Sequence, residues 1–250
     1  MHGLLIVFLA GLIAGAMNAA AGGGSFVSIP ALIYIGVPSV SANMSSTIAL
    51  YPGSLASGWA YRRNLQPILN VSLKALFLAT LAGGFAGALL LFLTPNTAFD
   101  KIIPWLLLLG SVTFALGRKL GGQLQKHYRP GASFLLIAQF FLGMYGGYFG
   151  GAVGIMMMAV WNLLGIHDVK AMNAVKVMLV LAANTIAVLC FAFAGTVAWR
   201  ETLVMLVAAV LGGYVGARVT LRLSGSQIRV GISVVNFLIT AVFFYVRFFK

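Results

Sequence analysis

Lys176 is a cation placed where a cation is costly. It lies five residues past Ala171, inside the apolar run from Ala171 to Ala194, about one and a half turns into a helix. A charge within a membrane span costs about 3 kcal/mol on insertion scales and marks a functional position by default. The nearest acid in sequence, Asp168, is eight residues away at the mouth of the run, so a mobile anion would be the partner of Lys176. The plainer alternative is a lysine that snorkels to the interface. Asn173 and Asn184 share one face with Lys176 at helical spacing.

Two glycine turns offer a second kind of anion chemistry. Asn18 to Ser25 reads Asn-Ala-Ala-Ala-Gly-Gly-Gly-Ser, so Gly22, Gly23 and Gly24 expose backbone amides just before an apolar piece begins at Ser25. Gly150, Gly151 and Gly154 form the matching turn in the second half. Helix N-termini bind anions through free N–H groups and the positive end of the dipole. Close helix packing is the competing use of such glycines. Further polar candidates, Asn43, Ser45, Ser46 and Thr47, open the span that continues to Tyr51-Pro52-Gly53-Ser54. Pro52 removes a backbone hydrogen bond and would kink that helix.

Other chemistries are less well supplied. Met156, Met157 and Met158 could suggest a soft metal, but consecutive residues face different sides of a helix, so packing is the better expectation and no metal or other cofactor is expected. His167 beside Asp168 reads as interfacial polarity. The three acids, Asp100, Asp168 and Glu201, fall at expected helix ends and are not paired within a span, and no nucleophile elbow or metal-binding motif is present, so an enzyme is not expected. Cys190 is the single cysteine, which excludes an intrachain disulfide.

The elements that must position these residues follow from composition. Of 250 residues 61% are hydrophobic and 8% charged, against roughly 45–50% and roughly 25% in soluble domains. Several apolar stretches approach the roughly 20 residues that span a bilayer as helix. Spans are expected at about 3–20, 44–61, 70–93, 101–118, 132–149, 171–194, 200–222 and 228–249. The first has no basic region before it and no convincing cleavage site after it, and reads as a retained span. Two shorter pieces, about 25–36 and 151–165, follow the glycine turns and read as broken or re-entrant helices. Non-helical backbone at membrane depth is tolerated only inside protein or along a cavity, so the glycines point to a site.

The chain repeats itself. Gly11, Gly15 and Gly22 match Gly143, Gly147 and Gly154 at an offset of 132 (143 − 11). Beyond the short pieces the offset is 129 (165 − 36): Gly36 matches Gly165, Ala42 matches Ala171, and Gly83-Gly84-Phe85-Ala86-Gly87-Ala88 matches Gly212-Gly213-Tyr214-Val215-Gly216-Ala217. We read two membrane repeats, 1–118 and 132–250, joined by a basic linker at 119–131. Paired discontinuous segments of this kind locate a transporter's binding site between its halves.

If each short piece crosses the membrane, the repeats are inverted. The net charge of +13 then splits favourably, with ten Lys and Arg inside, among them Arg62, Arg63, Arg118, Lys119, Lys126 and Arg129, and four outside. If the pieces do not cross, the repeats are parallel and the split is nine to five. The positive-inside rule leans to inversion. The same placement at span ends argues against nucleic acid, for which no basic patch interleaved with aromatics exists.

The segment Gly11 to Arg63, with Ala21-Gly22-Gly23-Gly24-Ser25, Ile29-Pro30-Ala31-Leu32, Gly36-Val37-Pro38 and Tyr51-Pro52-Gly53-Ser54, resembles the sulfite exporter TauE/SafE family. So do Gly143 to Gly154, Gly165 to Ala174 and the region of Asn184 in the second half. Family members often carry Thr-Asn-Lys where this chain reads Ala42-Asn43-Met44, so that cation is missing here and Lys176 lies in the other half. The resemblance implies secondary transport of a small, often sulfur-containing anion such as sulfite or an organosulfonate. Together the readings lead us to expect an all-helical, multi-pass permease of the prokaryotic inner membrane, whose partners are the lipid bilayer and a small anionic solute. The glycine-rich faces would also suit a homodimer. A passive anion channel and an anion sensor that transports nothing are the alternative readings.

Overall fold

Apolar runs bounded by proline, glycine and polar residues become helices because a backbone in lipid must satisfy its own hydrogen bonds. The computed structural model describes residues 2–63, 65, 71–124, 131–163, 169–220 and 225–248. In the first half it holds α1 (His2–Ala21), α2 (Ser25–Tyr34), α3 (Ser39–Tyr61), α4 (Leu73–Leu93) and α5 (Asn96–Leu124). The second half holds α6 (Ala132–Tyr148), α7 (Val153–Leu163), α8 (Val169–Ala192), α9 (Trp199–Thr220) and α10 (Gly225–Phe248). The fold is all-helical, and α1, α4, α5, α8 and α9 are long and apolar enough to cross a membrane. Exposed Leu5, Leu9 and Ile13 follow one another at helical spacing down α1, a stripe that lipid rather than water would cover.

Two helices start earlier than the apolar pattern suggests. α3 begins at Ser39, not near 44, because Pro38 (φ −54°, ψ 142°) delivers the chain straight into a first turn, and its carbonyl accepts the Ala42 N–H at 2.7 Å. α5 begins at Asn96, where the Pro95 carbonyl accepts the N–H groups of Ala98 and Phe99, each at 3.0 Å. It also runs on to Leu124, so residues 119–124 of the expected linker are helical. Residues 125–130, with Lys126 and Arg129, and residues 164–168, with His167 and Asp168, lie outside the described residues.

Glycine sets the closest packing. The most extensive helix pairs are α1 with α9 and α4 with α6. Gly11 and Gly15 of α1 lie against the backbone of Met205 and Ala209, while Gly212 and Gly216 of α9 lie against Leu12 and Ala16. In the other pair, Gly83 and Gly87 of α4 meet Phe140 and Met144, and Gly143 and Gly147 of α6 meet Thr80 and Gly84. A Cβ at most of these positions would overlap backbone atoms that cannot move aside. The first helix of each half thus packs on the fourth helix of the other, through glycines that the repeat matches.

Two further cross-half pairs, α3 with α8 and α5 with α10, join repeat equivalents and run antiparallel. Along α3 and α8, Tyr51 meets Thr185, Ser54 meets Asn184 and Gly58 meets Leu181. Along α5 and α10, Trp105 packs on Phe244 and Ser111 bonds Thr240. The short helix α2 doubles back along α1, with Gly24 against the Ala14 carbonyl and Ile35 against Gly3. Phe26 of α2 and Phe149, beside the second glycine turn, form an edge-on ring pair 6.4 Å apart in the core.

Candidate functional site

Both glycine turns open on one cavity of about 250 Å³. Asn18 closes α1 above it, and Gly22, Gly23 and Ser25 form its wall where α1 gives way to α2. The turn needs glycine: Gly22 and Gly23 have φ of +79° and +105°, in the left-handed region. From the second half, Gly150 (φ +78°) and Gly154 reach the same cavity, with Ala152 held at φ +60° between them. A non-glycine residue there carries a strain of order 1–3 kcal/mol that surrounding packing must hold; Ala152 is 4% exposed in the core.

The turns leave hydrogen-bond donors free. The N–H groups of Gly23 and Ser25, and those of Val153 and Gly154, have no acceptor among the described residues, as the first turn of a helix requires. Gly23 lies just before α2, Ser25 opens it, and Val153 and Gly154 open α7, so two helix N-termini meet at the cavity, one from each half.

α8 supplies the charge. Lys176 lines the cavity, and its Nζ donates to Asn173 Oδ1 at 2.6 Å, a neutral partner one turn back. Its stem lies over Gly154, where a Cβ would be 3.1 Å from Lys176 Cδ. One turn beyond Val180 the amide of Asn184 donates to Ser54 Oγ at 3.3 Å, joining α8 to α3. Among the described residues, no Asp or Glu lines it.

Of the residues singled out from the sequence, Asn18, Gly22, Gly23, Ser25, Gly150, Gly154, Asn173, Lys176 and Asn184 line the cavity together. Four stand behind it. Gly24 precedes α2, and its carbonyl accepts from Val27 N, Ser28 N and Ser28 Oγ. Gly151 is buried against the rings of Phe149 and Phe26. Ser46 pairs with Ser28 at 2.6 Å, and Asn43 donates from Nδ2 to the Tyr148 carbonyl at 2.7 Å. Sequence reasoning missed Ser57 and Tyr61, which line the cavity with Thr47 and Ser54. The signal was present, since 47, 54, 57 and 61 fall on one face of α3. Met157 fills the core with Trp161 and Val175.

Among the described residues the lining offers neutral donors, free helix-end amides and one ammonium, without a carboxylate, and such a ring is suited to hold a small anion. Residues 7–243 match the family model described as Sulfite exporter TauE/SafE. The chain belongs to the TauE/SafE family. It is 30% identical over 239 residues to a Haemophilus influenzae protein named "Probable membrane transporter protein", covering 95% of this chain and 93% of that one. It is 30% identical over 242 residues to the Escherichia coli "Probable membrane transporter protein YfcA", covering 96% and 89%. A Sinorhizobium "Probable membrane transporter protein ORF9" is 31% identical over 218 residues, 87% of this chain and 83% of that one. This TauE/SafE member is a multi-pass membrane transporter and not an enzyme.

Proposed function

We propose that this transporter is a secondary permease for a small, sulfur-containing anion, such as sulfite or an organosulfonate, in the cell inner membrane. The observation that carries the reading is that Lys176 shares one cavity with the free amides at the N-termini of α2 and α7, with no Asp or Glu among the described residues that line it. An oxyanion there would accept from backbone N–H groups on two sides and from an ammonium on a third, all charge-assisted bonds.

Inverted repeats belong to the same reading. Equivalent helices α3 and α8 meet antiparallel, and so do α5 and α10. A two-fold axis relating antiparallel neighbours crosses them at right angles, in the plane of the membrane. Ser111 and Thr240 are repeat equivalents, and their hydroxyls lie 3.1 Å apart, where such an axis would pass. The end of the bundle that carries Arg62, Arg63 and Arg218 is then cytoplasmic. The cavity, which reaches Tyr61 at that end, is open to the inside.

The test is thermal stability of the detergent-purified protein against sulfite, methanesulfonate, chloride and a neutral sulfone, with Lys176→Ala alongside. A ligand of the folded state stabilises it by roughly 2.7 kcal/mol at a hundredfold excess over its dissociation constant. We expect a shift with sulfite or the sulfonate that Lys176→Ala loses. A shift with the neutral sulfone alone would overturn the reading. Saturable counterflow in proteoliposomes is expected of a carrier; linear flux without exchange would make it a channel.

A further inference from the structure

A second cavity, of about 870 Å³, lies at the opposite end of α3. Ser41 and Met44 of α3 line it, whereas Thr47, Ser54, Ser57 and Tyr61 of the same helix line the first. Between the two sets, Asn43, Ser45 and Ser46 are at most 1% exposed. Each of these three is hydrogen-bonded: Asn43 Nδ2 to the Tyr148 carbonyl at 2.7 Å, Ser45 Oγ from Ala198 N at 3.1 Å, and Ser46 with Ser28 at 2.6 Å. Ser41 Oγ also donates to the Thr196 carbonyl. Three of these bonds join the first half to the second. Buried hydroxyls and an amide in an apolar bundle are costly unless partnered, and the Asn43 Oδ1 has no partner among the described residues. Such a layer is a poor choice for a permanent wall and a good one for a closure that polar cargo must pass.

The two cavities differ in charge. Among the described residues, Lys176 is the only charged side chain lining the first, and Glu201 the only one lining the second. Glu201 sits in the first turn of α9, where it also complements the helix dipole. Asp100, one turn on from Asn96 of the same cavity, lies at this end as well.

We infer that the second cavity is the outer vestibule of the transport path, closed from the inner cavity by the Asn43–Ser46 layer, and that Glu201 gives it a potential that disfavours anions. The vestibule is therefore the low-affinity side, where a cargo anion is released readily and recaptured poorly. In an exchanger this changes half-saturation on the outer face and leaves the equilibrium distribution untouched. Only the direction of this effect on cargo rests on the anion reading above; the vestibule and its potential do not.

The experiment reads the potential directly. Thr196→Cys, and separately Ala198→Cys, both vestibule residues, are made in a Cys190→Ser background in sealed right-side-out vesicles. Each is treated from outside with a cationic (trimethylammonium) or an anionic (sulfonate) methanethiosulfonate. We expect both reagents to react, the cationic one about threefold faster than its reactivity with free thiol predicts, as one unit charge within roughly 10 Å of wet surroundings gives. Glu201→Gln should abolish that preference. Ser57→Cys, in the inner cavity, should stay protected from outside. Vestibule cysteines inert from outside, a preference that survives Glu201→Gln, or ready outside labelling of Ser57→Cys would overturn the inference. Each outcome is readable whether or not sulfite proves to be cargo, so failure here and failure of the anion reading are separable.

Discussion

Seams between the two halves differ in kind. Along α1/α9 and α4/α6 the helices touch backbone to backbone through glycine, leaving no room for a side chain. Along α3/α8 they touch through hydroxyls and an amide, beside a cavity that Lys176 lines. Close glycine packing holds helices together in lipid by dispersion and weak polar contacts over a long contact line. A polar seam with space in it can be remade in a second arrangement. Rocking one sequence half against the other would shear both glycine seams at once. Opening α3 from α8 would leave them intact. The moving bodies expected from the packing therefore exchange helices between the halves, α1 travelling with α9 and α6 with α4.

The largest effect should come from filling a glycine seam. Gly147→Leu places a branched side chain where even a Cβ would overlap the Gly84 backbone. Overpacking costs typically 1–3 kcal/mol and more when backbone must move. We expect the variant to lose monodisperse protein after detergent extraction. Gly213→Ala is the control: its nearest neighbour, the Gly15 carbonyl, is 3.7 Å from the added Cβ. It should purify like the parent, and equal behaviour of the two would break the distinction between seams.

A disulfide across the polar seam comes next. Ser54→Cys with Asn184→Cys, in a Cys190→Ser background, joins positions whose side chains are now 3.3 Å apart. Oxidation should stop counterflow, and reduction should restore it. Full transport in the oxidised form would mean that α3 and α8 move together.

Lys176→Ala should separate stability from function. Removing an ammonium whose one partner among the described residues is neutral relieves a desolvation cost, so Tm should hold or rise. Sulfite uptake should fall at least about tenfold, the effect of roughly 1.4 kcal/mol lost from binding. A lower Tm with uptake retained would make Lys176 a structural residue.

How much of this was legible in the sequence depended on whether a residue states its own cost. A lysine in an apolar run does, and so does a run of glycines at membrane depth, which is why Lys176, Gly22 and Gly150 stood out. The ten helices of the described residues were also legible, because length and hydropathy set them locally. Ser57 and Tyr61 did not stand out: a hydroxyl on a helix gains meaning only when another helix is placed opposite. Gly24 and Gly151 look like their neighbours in sequence, yet one precedes α2 against Ala14 and the other packs under two aromatic rings. Their separation from the cavity follows from where Phe26 and Phe149 pack. The start of α3 was hidden because Ser39, Ser41 and Asn43 interrupt the apolar pattern, although Pro38 sets the first turn; the bonds of that turn to Asn96 and Thr196 show where its polar groups go.

The smallest effect tests the cavity's fit. Gly154 has no left-handed backbone to protect, so alanine is allowed, and helix propensity favours it by about 1 kcal/mol. The new Cβ would stand 3.1 Å from Lys176 Cδ and 3.3 Å from Val180 Cγ2. Both neighbours must yield by a few tenths of an ångström, and the lysine stem, with four rotatable bonds, yields more easily than the valine. Lys176 would keep its charge and shift its head. Tm should therefore stay within about 4 °C, the equivalent of roughly 1 kcal/mol for a chain this long. The half-saturation constant for sulfite counterflow should rise about two- to threefold with the maximal rate kept. A loss as deep as that of Lys176→Ala would show that the position of the ammonium, and not only its charge, selects the cargo. No change in half-saturation would place the anion away from the Lys176–Gly154 contact, nearer the amides of Gly23 and Ser25.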